Sequence, residues 1–135
     1  PGENAVPIDS PQEISRNDWI EWAECCWPWQ RVRETDTLNV REAKGDDDTK
    51  HICPLQLGVI DRLVKLYTNP GEIVFSPFAG IGSEGYTALK LGRRFYGCEL
   101  KREYYNAMLT NLGKAQSMRT ESQKTLFDDV RTVAC

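Results

Sequence analysis

Three glycines, Gly80, Gly82 and Gly85, lie in "GIGSEG", and a carboxylate, Glu99, follows 17 positions after Gly82. Glycines at this spacing let backbone approach a ligand with no Cβ between them. Where such a turn opens a helix, the first N–H groups point at whatever is bound there. In nucleoside-binding folds an acidic residue about twenty positions further on accepts the hydroxyls of a ribose, a carboxylate facing a vicinal diol. Glu99 stands at that distance; a solvated charge at a strand end is the alternative.

The residues before the glycines narrow the ligand. In a nicotinamide-dinucleotide fingerprint the strand runs straight into the first glycine, and the turn cradles a pyrophosphate. Here "EIVF" is followed by "SPFA". Pro77 removes a backbone donor and turns the chain. Phe78 then stands where a pyrophosphate would lie and suits the wall of an apolar pocket. A nucleoside without phosphate fits this loop better than NAD.

The surrounding pattern supplies the elements that position these residues. "EIVFS" and "RRFYGCEL" are short apolar runs, expected as strands buried on both faces. "SEGYTALKLG" between them is a helix, with Ser83 as N-cap, Glu84 at the positive end and Gly92 at the stop. Strand, loop, helix and strand make a βαβ unit on a parallel sheet. Upstream, Leu55, Val59, Ile60, Leu63, Val64 and Tyr67 recur at helical spacing until Asn69–Pro70–Gly71. A further helix is expected over 12–27, ended by Pro28, and "CCWPWQRV" is apolar enough to need a cover. Downstream, "KREYYNAMLTNLGKA" is an amphipathic helix. The expected organisation is an N-terminal arm, helix and connection over 1–50, a ligand-binding α/β part over 51–116, and a polar, flexible tail over 117–135.

Composition excludes several classes. The chain of 135 residues is the size of one small domain, with 40% hydrophobic and 27% charged residues. No apolar run approaches the roughly eighteen residues needed to cross a bilayer, and no signal-peptide pattern opens the chain. The five cysteines (Cys25, Cys26, Cys53, Cys98 and Cys135) are odd in number and contain no C-x-x-C, which points to a reducing intracellular setting and buried or free thiols. Their spacing does not suit zinc, and Asp46–Asp47–Asp48 reads as a solvated loop, so no metal is expected. The net charge of −3 is not that of an autonomous nucleic-acid-binding domain. Lys90, Arg93, Arg94, Lys101 and Arg102 cluster in sequence and read as a solvated helix end and loop.

Taken together, these segments resemble a family. "IVFSPFAGIG" resembles the cofactor loop of DNA amino-methyltransferases, which commonly carry aspartate before Pro-Phe and then Gly-x-Gly. "YGCEL" is similar to their next motif, and "HICPLQLGVIDRLVKLYTNPG" to the helix preceding the loop, with Asp61, Arg62, Leu63 and Val64 matching its "ERLI". The order is that of the permuted group whose catalytic motif lies upstream, and the wording is nearest to phage-borne methylases. The resemblance spans roughly residues 17–116. It implies a partial Rossmann-like α/β methyltransferase fold, a βαβ unit plus flanking helices, that binds S-adenosylmethionine. It implies cofactor contacts from Ser76, Pro77, Phe78, Gly80, Gly82, Ser83 and Glu99, with His51 and Cys53 near the methionine end. The implied reaction methylates an exocyclic amine of adenine or cytosine in DNA, in the cytoplasm of a bacterial or phage-infected cell.

Two departures qualify the match. Ser76 replaces the usual aspartate, exchanging a carboxylate for a hydroxyl. The catalytic motif, Asp, Asn or Ser followed by Pro-Pro-aromatic, does not occur in the sequence, so no residue is assigned a catalytic role. The expectation is a cofactor-holding portion that is inactive alone and reaches DNA through a missing region or another subunit. Two strands leave apolar edges open, so self-association, strand exchange or a partner is expected. "QKTLF" also resembles the peptide with which bacterial proteins bind the replication sliding clamp, using Gln123, Leu126 and Phe127 from an extended segment. The competing readings are an NAD-binding half-domain and a non-enzymatic accessory module.

Overall fold

The computed structural model describes residues 14–27, 32–40 and 53–132, with side chains described as far as Glu121. Six elements follow in order: α1 (Arg16–Trp22), α2 (Leu57–Tyr67), β1 (Ile73–Ser76), α3 (Ser83–Lys90), β2 (Arg94–Gly97) and α4 (Arg102–Thr132). The two strands pair in parallel, Ile73 opposite Arg94 and Phe75 opposite Tyr96. The βαβ unit is therefore as expected, with α3 as its crossover. Among the described residues no helix is long and apolar enough to cross a membrane.

Helix α3 is the centre of the packing. It lies against α4, α2 and both strands, and its Ala88 is fully buried. From α2 come Ile60 and Val64, from α4 Met108 and Ala115, and from the loop between β1 and α3 come Ala79 and Ile81. Arg93 is 1% exposed and joins three segments: Nε donates to Thr68 Oγ1 at 3.1 Å, Nη1 to the Leu91 carbonyl at 2.7 Å and Nη2 to the Thr68 carbonyl at 2.8 Å. A guanidinium can satisfy several carbonyls at once, which is how so polar a group is accommodated inside.

Several expectations are corrected. The strands are covered on one face only: Ile73, Phe75 and Tyr96 are exposed, Phe75 and Tyr96 by 62% and 61%. Their apolar character was read as burial on both sides, but α3 supplies cover on one. Helix α1 is shorter than 12–27. Ser15 caps it by accepting from Asp18 N–H at 3.1 Å, and beyond Ala23 the chain leaves the helix so that Trp27 Nε1 reaches the Trp22 carbonyl at 3.2 Å. At α3 the cap is Gly82, with a left-handed φ of 86°, and Ser83 is the first helical residue. Gly92, with φ 78°, follows the C-cap Leu91 as the stop.

The tail differs most. Helix α4 does not end near 116; it runs 31 residues to Thr132. After Gly113 no proline or glycine interrupts the sequence, and Gln, Met, Arg, Glu, Lys and Leu all favour a helix. The backbone at Gln123, Leu126 and Phe127 is accordingly helical, not the extended segment that the clamp-peptide reading requires. Asp46–Asp47–Asp48, the "PWQR" part of the aromatic stretch and His51 lie outside the described residues.

Candidate functional site

The strand-to-helix turn after β1 is shaped by its own sequence and held from outside. Ser76 ends β1 and is buried, and its carbonyl accepts from Cys98 N–H at 3.0 Å. Pro77 and Phe78 turn the chain outward, leaving the Phe78 ring 87% exposed. Ala79 N–H then returns to the Cys98 carbonyl at 2.9 Å. Gly80 and Gly82 both take left-handed φ, 53° and 86°, which only glycine adopts at little cost. Between them Ile81 is buried, its carbonyl accepting from Asn111 Nδ2 of α4 at 2.9 Å.

Glu99 is brought to this turn from the far end of β2. Its Oε2 accepts from Gly80 N–H at 2.8 Å, and its Oε1 accepts from Lys101 N–H at 2.8 Å. The carboxylate thus ties the glycine loop to the entry of α4. An ionised carboxylate offers about four acceptor positions, so two remain for other donors.

Beside the turn opens a hollow of about 240 Å3. Four of the residues expected from sequence line it together: Cys53, Phe78, Gly80 and Ser83. Pro77 adjoins it, Gly82 lies under Met108, and Glu99 reaches the turn through Gly80. Ser76 is in the strand end behind it, and His51 is outside the described residues. The sequence reading missed Leu55 and Tyr104 as wall residues and Glu84 at the start of α3. The Tyr104 ring also carries Lys101 Nζ, 4.6 Å from its centroid. Tyr104 is in the first turn of the helix that follows Glu99, and that position was the available signal. Nothing local in the sequence singled out Asn111.

The hollow combines an apolar wall (Leu55, Phe78, Tyr104) with backbone at a helix start and a nearby carboxylate. That set suits a ligand with an apolar body and hydroxyl groups, and no lysine or arginine is among the described residues lining it. Among the described residues no three His, Cys, Asp or Glu side chains converge as for a metal ion. Arg93 is internal rather than solvated, and Arg94 Nε donates to the Gly71 carbonyl at 2.9 Å on the open face of the sheet.

A second hollow, of about 390 Å3, lies between α2 and α3 and is lined by Trp22, Asp36, Arg62 and Thr87 among others. Arg62 packs there between two indoles, its guanidinium carbon 5.8 Å from the Trp22 ring centre and 5.0 Å from that of Trp27. This arrangement fastens α1 to α2.

A family model described as DNA methylase matches residues 3–110. The Type II methyltransferase M1.MboII of Moraxella bovis is 32% identical over 80 residues, which are 59% of this chain and 29% of that protein. The Type II methyltransferase M.BglII of Bacillus subtilis is 39% identical over 66 residues, 49% of this chain and 18% of its own. The DNA adenine methyltransferase YhdJ of Escherichia coli (strain K12) is 33% identical over 76 residues, 56% and 26% respectively. The chain spans less than a third of the length of each. No solved structure matches. With the family model covering most of its length, the chain belongs to the DNA methylase family.

Proposed function

We propose that this chain is the cofactor-holding portion of an S-adenosylmethionine-dependent DNA methyltransferase acting on an exocyclic amine of adenine or cytosine. The observation that supports the reading is that Phe78, Gly80 and Ser83 line one hollow while Glu99 accepts from the Gly80 N–H at 2.8 Å. In this reading the two free acceptor positions of Glu99 take the ribose hydroxyls, and Phe78, Leu55 and Tyr104 flank the apolar parts. The backbone at Gly80 and Ser83 borders the ligand, and Cys53 lies near the methionine end. Ser76 in place of aspartate weakens the hold on the amino-acid end.

The reaction is a direct transfer. S-adenosylmethionine, when bound, would supply the methyl group for transfer to the target amine. The groups that would receive the flipped base, an Asp/Asn/Ser-Pro-Pro-aromatic motif, do not occur in these 135 residues. Polypeptide outside this sequence supplies them and the DNA contacts. The name of YhdJ makes adenine the first base to assay.

Parallel calorimetric titrations with S-adenosylhomocysteine and NAD test the reading. The expected result is binding of the first alone, weakened about tenfold or more by Phe78→Ala through lost apolar contact. The 135 residues alone should transfer no methyl group to DNA, and turnover should appear when a polypeptide bearing the missing motif is added. Preference for NAD would overturn the assignment.

A further inference from the structure

Glu99 has a role before any ligand arrives. The Gly80 N–H has no backbone acceptor among the described residues; its partner is Glu99 Oε2 at 2.8 Å. Gly80 sits at φ 53°, and a Cβ there would meet nothing within 4 Å, so packing does not impose its conformation. The rest of the turn is secured independently. Ala79 N–H is held by the Cys98 carbonyl, Gly82 N–H by the Ala79 carbonyl, and the Ile81 carbonyl by Asn111. Gly80 lies within the turn these bonds close and borders the hollow, and its own N–H is held by one carboxylate oxygen. The other oxygen accepts from Lys101 N–H, which fixes the carboxylate itself.

We propose that Glu99 is a positioning residue that clamps the glycine loop in the ligand-free protein, setting Gly80 before the nucleoside binds. The benefit to ligand binding rests on the cofactor-site reading; the clamp itself does not. Because only two acceptor positions are used, the clamp and a contact to a vicinal diol coexist on the same carboxylate. Binding then needs no loop rearrangement at Gly80, and its ordering cost is met in the free protein.

Amide hydrogen exchange on the ligand-free 135-residue chain tests the clamp. The Gly80 amide should be protected in the wild type and exchange about tenfold faster or more in Glu99→Ala, the scale of a hydrogen bond to a charged acceptor. The Arg93 amide, bonded to the Ala88 carbonyl at 2.8 Å, reports whether the fold persists and should not change. If Glu99→Ala does not fold, Glu99→Gln carries the test. Its amide nitrogen cannot accept, so the Gly80 or the Lys101 amide must lose protection. An unprotected Gly80 amide in the wild type, or equal rates in wild type and variants, would overturn the clamp. Titration with S-adenosylhomocysteine and its 2′,3′-dideoxy analogue separates the two readings. Protection at Gly80 without binding of either nucleoside supports the clamp and removes the cofactor reading. Binding with Gly80 unprotected does the reverse.

Discussion

At Gly80 an added Cβ would meet open space, whereas at Gly82 it would lie 2.7 Å from Met108 Cγ and 3.3 Å from Met108 Cα. At Gly85 it would lie 2.6 Å from Leu112 Cδ2 and Phe95 Cδ1. One motif therefore meets three different surroundings: open space at Gly80, the seat of α4 at Gly82, and contact of α3 with β2 and α4 at Gly85. Gly82→Ala should destabilise by about 2–4 kcal/mol, adding left-handed strain to overpacking. Gly80→Ala should cost about 1–2 kcal/mol from strain alone, yet lower affinity for S-adenosylhomocysteine more than Gly82→Ala does in whatever fraction stays folded. Urea denaturation and calorimetry measure the two quantities. The position of the motif and the distance to Glu99 were legible because they are local patterns. The division of labour among the glycines was not, since it depends on Met108 and Leu112, more than twenty positions away along the chain.

Between elements, the loop is fixed by side chains that belong to its neighbours. Asn111 is 8% exposed and its amide serves the Ile81 carbonyl. Asn111→Leu keeps similar bulk but orphans that carbonyl, and should lower unfolding stability by about 1–3 kcal/mol in urea. Helix α1 buries none of its own residues and is held to α2 through Trp22 and Trp27 around Arg62, with Glu21 3.8 Å from the same guanidinium and Lys65 over Trp22. Trp27→Ala should release α1, raising its amide exchange while leaving S-adenosylhomocysteine affinity within about twofold, since a stacked guanidinium contributes roughly 0.5–2 kcal/mol. Periodicity located α2 and, through Ile60 and Val64, part of its buried face. Leu63 and Tyr67 are exposed while Arg62 is buried, because the covering surface is aromatic and cation-accepting rather than aliphatic. The α1 and α4 boundaries escaped for the same class of reason: a tryptophan that caps from outside the helix, and a polar stretch with no breaker.

Among the described residues, the molecule has few large buried apolar groups, and one face of its sheet is exposed. Its buried hydrophobic residues include three alanines, while Phe75 and Tyr96 pair across the open side. Small cores leave small stability margins, and exposed apolar strands favour association. The chain should therefore self-associate at micromolar concentration, and Phe75→Lys with Tyr96→Lys should shift it toward monomer in light scattering. A wild-type monomer that melts cooperatively would contradict this. The α/β class and membership among DNA amino-methyltransferases were readable from three adjacent motifs, because those motifs are contiguous in sequence. The open face was readable only as a shortage of strands.

Among the α4 residues with described side chains, Ala115 is the last buried one, and Gln116 to Glu121 are exposed. Its spectroscopic weight and its thermodynamic weight therefore differ. The turns beyond Ala115 add ellipticity at 222 nm without adding described core, and an isolated helix of that length is marginal in water. A melt followed by circular dichroism should begin with a shallow, early loss that a tryptophan-fluorescence melt lacks. Ending the chain at Gln116 should remove that phase and leave the main midpoint where it was.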